Sequence, residues 1–456
     1  MTDPAGMHRV TPATERLAAA VMAYITDCMQ LETPALEGPR TPAELTAAVG
    51  QTITPDGLGG EAVLGLFRAE LAPSTTSVEN PRFLAFIPTA PTHAAKLFDM
   101  AVTASTMYGG SWRGGAGAIY AENQALRWLA DLAGMPATAG GCFVQGGTVG
   151  NLSALVTARH AFLAARDQRP PGRLRVAATD QVHASVAAAA EVMDVDILGV
   201  EVDARGRLTG AALEGALARA GDKGVFAVVG TAGTTNLGVI DDLAGIAAVC
   251  AARKLWLHVD GAYGGAALAA PSARPQFAGI EACDSLIIDP HKWLYAPIDS
   301  CALLYRRPEL ARPAHTQHAG YLDAVRVTED WNPSEYAIHL TRRARGLPFW
   351  FSLAAHGTRA YSEAIEHTLA VAREARTDIE SRPYLQLVNE PDLSVLCMRR
   401  VGWEPGDYRR WSARLLSEGL GVVTPTEVGS ETVTRICVLN PRTTAADIAA
   451  ILDTMA

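Results

Sequence analysis

The chain has 456 residues, 49% of them apolar, and a net charge of −9 at neutral pH. That length exceeds what one compact core usually holds and predicts two or three domains. The charges form no basic stripe, which speaks against a nucleic-acid partner, and no apolar run reaches the ~18 residues of a membrane span. The seven cysteines (Cys28, Cys142, Cys250, Cys283, Cys301, Cys397 and Cys437) are scattered without a Cys-x-x-Cys pair. This spacing fits a reducing cytosol and argues against a zinc site or a disulfide framework. The N-terminus lacks a basic segment followed by an apolar run, so no export signal is expected.

Leu17, Val21, Tyr24, Ile25 and Cys28 recur at helical spacing and predict a first amphipathic helix. Thr41-Pro42-Ala43-Glu44 predicts a second, with a capping hydroxyl, a proline in the first turn and an acid at the third position. From about residue 80 to 350, strand-length apolar runs alternate with helical stretches, the pattern of a mainly parallel sheet. The stretch 166–171, with paired prolines, reads as an exposed loop. After Trp350 a long helix is expected to about Ile379, then short strands such as 393–398 and a final helix over 444–452. This mixture suits a small α+β domain.

Reactive groups gather at the ends of the expected strands. Cys142-Phe143-Val144-Gln145 runs into Gly146-Gly147-Thr148-Val149-Gly150-Asn151 and then a helical stretch. Glycines let a backbone approach an anion, and the free N–H groups of a helix start point at it. The turn is neither a Walker loop nor Gly-x-Gly-x-x-Gly, and a plain strand-to-helix connection reads as well. In Thr179-Asp180-Gln181-Val182-His183, either Thr179 or Asp180 can cap the alanine-rich helix that follows. His183 can pack, or stack on a flat ring. Val228-Val229-Gly230-Thr231 ends a strand in a hydroxyl.

Leu255-Trp256-Leu257-His258-Val259 predicts a buried strand ending in Asp260-Gly261-Ala262. A carboxylate there can pair with a protonated pyridine nitrogen, or merely open a turn. Ser285-Leu286-Ile287-Ile288 predicts another buried strand, leading into Asp289-Pro290-His291-Lys292-Trp293. A lysine delivered by a buried strand is costly unless it snorkels out or forms an imine with an aldehyde cofactor. Asp260 and Lys292 lie 32 residues apart, with room for a helix between them. Both therefore fall on the sheet edge where α/β enzymes bind ligands.

With these blocks in this order, the chain resembles the fold-type I enzymes of the group II amino-acid decarboxylase family, which use pyridoxal 5'-phosphate (PLP). The resemblance also rests on Pro81-Arg82-Phe83-Leu84-Ala85-Phe86-Ile87-Pro88 and on Arg342-Arg343-Ala344-Arg345. It implies a mainly parallel α/β large domain over 80–352 and a small C-terminal α+β domain over 353–456. The helical segment 1–79 would embrace a partner subunit or, alternatively, cap its own. A cytoplasmic homodimer acting on a small-molecule amino acid, without a metal, is the expectation. Trp293 favours the aromatic and diaminobutyrate side of the family, so the expected reaction converts an aromatic L-amino acid to its amine and CO2.

The resemblance also implies roles. Lys292 would hold PLP as an imine, Asp260 would keep the pyridine nitrogen protonated, and His183 would stack on the ring. Thr231 and Ala262 would line the cofactor, while Gly147, Thr148, the Val149 amide and His291 would hold its phosphate. Ile87, Thr89, Tyr108 and Trp112 fall on the substrate side. Three features depart from the family pattern. Asp289 stands where many relatives have Asn. Pro333 falls where aromatic-branch relatives carry a loop tyrosine that protonates the carbon after CO2 leaves, so Tyr336 or Tyr321 is expected to substitute. Tyr108-Gly109-Gly110 occupies a place where bulky groups usually shape the side-chain pocket. An unreplaced proton donor would favour an oxygen-dependent aldehyde synthase or an aminotransferase. A non-catalytic protein on the same fold is the third reading.

Overall fold

A computed structural model of the chain describes residues 5–36, 38–88, 90–320 and 331–456. The first helices are Pro12–Gln30, Pro42–Val49 and Gly60–Leu66, and none of them has a buried residue. Their starts are fixed as the sequence predicts. At Thr41 the hydroxyl accepts the Glu44 N–H at 3.3 Å while the Glu44 carboxylate accepts the Thr41 N–H at 2.7 Å. Met22, Leu31, Val63, Phe67 and Leu71 all remain exposed on this segment.

The large sheet consists of β1 (Gly140–Val144), β2 (Arg175–Ala178), β3 (Asp196–Gly199), β4 (Val225–Thr231), β5 (Trp256–Asp260), β6 (Ser285–Ile288) and β7 (Cys301–Tyr305). Their order is β1-β7-β6-β5-β4-β2-β3. Strands β2 to β6 pair in parallel, and β7 runs antiparallel between β1 and β6. Both faces of the sheet are covered, so the strands read as continuous apolar runs. Val228, Leu257 and Leu286 point into one core, whereas Ala227, Val229, Trp256 and Ile287 point into the other. This two-residue alternation sends successive side chains to opposite faces.

The parallel arrangement puts the C-terminal ends of β4, β5 and β6 along one edge. Asp260 sits opposite Ile287 in the register, so the turn after β6 opens directly beside it. A second sheet, in the order β10-β11-β9-β8, comprises β8 (Leu385–Leu387), β9 (Val395–Arg400), β10 (Thr424–Val428) and β11 (Glu431–Cys437). The helices Thr358–Ser381, Pro405–Ser417 and Ala445–Asp453 accompany it. The early segment around Leu84 is stitched to this unit: Leu84 N–H donates to Val422, and its carbonyl accepts from Cys437, both at 2.9 Å. Leu84 accordingly sits in the C-terminal core.

Burial pushes the pKa values of His258, His315 and His339 down to about 4. The unfolded chain therefore takes up these protons first, and the stability present above pH ~6.5 is lost as pH falls toward 4. Each histidine contributes up to roughly 3 kcal/mol to this dependence. Asp241, raised to about 7 by burial, and Asp284, also raised by burial, act in the opposite sense, but they are two groups against three. The thermal midpoint should therefore drop between pH 6.5 and 4.5; a flat or rising midpoint over that window would contradict the burial of these rings.

Candidate active site

A cleft of about 320 Å³ opens at the C-terminal edge of the large sheet. Gly147, Thr148, His183, Thr231, Asp260, Ala262, His291 and Lys292 all line it. Residues from five separate stretches thus converge because parallel strands end together.

Asp260 is the last residue of β5. Its Oδ1 accepts the Ala262 N–H at 3.1 Å and its Oδ2 accepts the Asn151 side-chain N–H at 2.8 Å. Lys292 lies in the turn after β6, with its Nζ 3.0 Å from Asp289 Oδ2. Burial works against the lysine's charge, but Asp289 and then Asp260 outweigh it, and its pKa is raised. Asp289 is buried, which alone would raise its pKa, yet Lys292 and His291 hold it below the usual carboxylate range. The residue that departs from the family pattern therefore faces the lysine.

The helix Gly147–Ala164 starts at the cleft. A Cβ on Gly147 would stand 3.3 Å from Asp289 Oδ2 and 3.4 Å from the Ala262 Cβ, so glycine keeps this cradle open. Thr231 Oγ1 and Gln145 Oε1 are buried in the cleft wall without a hydrogen-bond partner among the described residues. Unpaired buried polar atoms are costly and mark places where a ligand group fits. An amine, a carboxylate, an open helix start and these orphaned groups suit PLP: an aldehyde for the amine, a ring nitrogen for the carboxylate and a phosphate for the helix start. His291 is held by Ser300, whose N–H donates to Nδ1 at 3.1 Å.

Several expected residues lie elsewhere. The Val149 N–H already donates to the Gly146 carbonyl at 3.0 Å, closing the first helical turn, and the side chain packs into a core, so this amide is not free for a phosphate. Ile87 packs against the other core. The Tyr108 hydroxyl donates to the Leu340 carbonyl at 3.3 Å, and the Trp112 N–H donates to Asn332 at 2.9 Å. Neither residue lines the cleft of its own chain. Tyr336 is 2% exposed and stacks on Trp331 with ring centroids 4.3 Å apart. Burial raises its pKa further, so within this chain it is a packing residue and not a proton donor to the cleft. Thr89 and Tyr321 lie outside the described residues.

Other groups were not singled out from the sequence. Asn151 lines the cleft and ends the glycine-rich motif. Asp299 also lines it and pairs with Arg345 at 3.0 Å. Arg435, in β11, is 5% exposed and donates from Nη1 to the Phe86 carbonyl at 2.7 Å. Among the described residues its Nε and Nη2 have no hydrogen-bond partner. Arg435 acts electrostatically on Tyr263, a wall of the cleft. The available signal was an arginine directly before the apolar run Ile436-Cys437-Val438-Leu439.

The family model described as pyridoxal-dependent decarboxylase conserved domain matches residues 42–401. An aromatic-L-amino-acid decarboxylase from Bacillus atrophaeus is 30% identical over 416 residues, covering 88% of this chain and 86% of the relative. An L-2,4-diaminobutyrate decarboxylase from Rhizobium meliloti is 33% identical over 356 residues, covering 75% and 70%. Among solved structures, Oryza sativa TDC with PLP and tryptamine superimposes with a TM-score of 0.88 at 24% identity, covering 100% of this chain and 99% of that one. Rhodiola rosea 4-hydroxyphenylacetaldehyde synthase does so with a TM-score of 0.86 at 22% identity, covering 96% and 97%. By the family match and the coverage of these relatives, this chain belongs to the pyridoxal-dependent decarboxylase family and is a PLP-dependent amino-acid carboxy-lyase.

Proposed function

We propose that the enzyme decarboxylates an aromatic L-amino acid, releasing the amine and CO2, and that it works as a cytoplasmic homodimer. One observation carries the substrate reading: the charges that line the cleft are already engaged. Asp260 is held by Asn151 and Ala262, Asp289 faces Lys292, and Asp299 pairs with Arg345. No carboxylate among the described lining residues stands free for a basic side chain, and the one lysine or arginine among them, Lys292, already faces Asp289. The coverage of the Bacillus relative supports the same choice.

When bound, PLP supplies the sink for the electrons that departing CO2 leaves behind. The chain's residues do the rest. Lys292 would hold the cofactor through its amine, Asp260 would keep the ring nitrogen protonated, and His183 would cover the ring face. The unpaired donors of Arg435 suit an anion, and the substrate carboxylate is the anion this reaction brings. Orienting that group across the ring selects which bond breaks.

Dimerisation is supported by the N-terminal helices, whose apolar side chains stay exposed, and by Tyr108 and Trp112, which lie away from their own chain's cleft. A second copy would cover the first and bring the other two to a cleft. All seven cysteines are free, six of them buried, as suits a reducing compartment. No helix among the described residues is long and apolar enough to cross a membrane.

A second reading, an oxygen-dependent aldehyde synthase, is favoured by Pro333 at the loop tyrosine's place and by the enclosure of Tyr336. The deciding experiment supplies a panel of L-amino acids and measures CO2, amine and hydrogen peroxide, with light scattering on the same sample. Equal CO2 and amine from aromatic substrates, at twice the chain mass, is expected. Peroxide matching CO2 would establish the synthase, preference for diaminobutyrate would remove the aromatic assignment, and a fully active monomer would remove the dimer.

A further inference from the structure

A continuous line of buried polar side chains crosses the large sheet and ends at His183. Trp256 Nε1 lies 2.8 Å from Ser285 Oγ, which lies 2.8 Å from His258 Nδ1. His258 Nε2 lies 2.8 Å from Asn151 Oδ1. The Asn151 amide nitrogen donates to Asp260 Oδ2 at 2.8 Å and to Ser185 Oγ at 2.9 Å. Ser185 Oγ lies 2.8 Å from His183 Nδ1, and the Ser185 backbone N–H points at the same nitrogen from 3.2 Å. Trp256, Ser285, His258, Asn151 and Ser185 are all buried, so no solvent competes for these bonds.

The protons in this line have one consistent arrangement. A backbone N–H cannot turn away, so His183 Nδ1 must accept. The proton of the neutral His183 ring is then on Nε2. Ser185 donates its hydroxyl proton to Nδ1 and accepts from Asn151. Asp260, as a carboxylate, only accepts, which fixes the amide nitrogen of Asn151 toward it and the amide oxygen toward His258. His258 must then carry its proton on Nε2, leaving Nδ1 to accept from Ser285. The indole N–H of Trp256, a donor only, closes the far end. Burial pushes the His258 pKa down to about 4, so this ring is neutral near pH 7. Every bond runs in the same sense, from Trp256 toward the cleft.

We propose that Trp256, Ser285, His258, Asn151 and Ser185 are positioning residues that set the proton of His183 on Nε2, facing the cleft, and hold the Asp260 carboxylate with the same asparagine. Asn151 is the junction, because its two N–H groups serve both cleft residues at once. One amide thereby ties the group that covers the ring face to the group that partners the ring nitrogen. The proposal rests on the reading of the cleft as the PLP site, but its first test does not.

That test is nitrogen NMR of the full-length protein with labelled histidine, recorded without PLP and after PLP is added. The two signals are assigned by their loss in H183Q and H258Q. Both rings are expected as the Nε2–H tautomer, and an Nδ1–H tautomer at either one overturns the proposal. This result is independent of which amino acid the enzyme accepts. The second test compares N151D and N151L at neutral pH. If Asn151 served only to fill space, N151D, the closer mimic, would be the milder change. As a donor to Asp260 it cannot be replaced by a carboxylate, so N151D should lower kcat by about a hundredfold and more than N151L, with KM changed by about twofold or less. N151D retaining near-normal kcat, or outperforming N151L, overturns the proposal.

Discussion

Lys292→Ala is expected to stop turnover, lowering kcat by about 10⁴-fold or more. Lys292 is the one primary amine among the described residues that line the cleft, delivered by the turn after β6 and aimed by Asp289. No other described lining residue carries a primary amine to take its place. The variant should also lose the visible absorbance of cofactor bound to the enzyme while keeping its fold, since alanine leaves Asp289 free to accept solvent at a cleft. CO2 release from the best substrate, measured alongside that absorbance, checks both. Near-normal release would refute the assignment of Lys292.

Asp260→Ala should lower kcat on the order of 10³-fold. The carboxylate is fixed by Ala262 and Asn151 at the end of β5, pre-aligned before any substrate arrives. An aligned charge needs no reorganisation during the reaction, which is why removing it costs so much. The loss should fall mainly on kcat, because a partner of the ring nitrogen acts on the electrons released in the bond-breaking step. Activity within about tenfold of the parent enzyme would show that Asp260 does not act on the ring.

Much of this site was legible because its parts are local. A buried strand running into a polar residue can be read directly, and β4, β5 and β6 all have this form. Parallel pairing then brings their ends together without further information. The capped second helix was legible for the same reason, since Thr41 and Glu44 interact within one turn. Tyr336 was misread because its surroundings come from elsewhere: Trp331 stacks on it, and Tyr305, in β7, donates to its carbonyl at 3.0 Å. A tyrosine three residues from the expected place has the right spacing, but spacing does not report burial.

The sequence by itself determined the strand ends, the order of the motifs and the family, because continuous apolar runs, helix caps and the placement of Gly, Asp and Lys are properties of short segments. Only the tertiary structure decided which of those groups face each other. It turned Asp289 onto Lys292, engaged the Val149 amide within its own helix, and left Arg435 with two unpaired donors. It also laid His258, Asn151 and Ser185 in one line between β5 and His183. These relations join residues up to 109 positions apart, as with Asn151 and Asp260. Hydrogen-bond geometry across such separations depends on how strands and helices pack, and no local pattern encodes it.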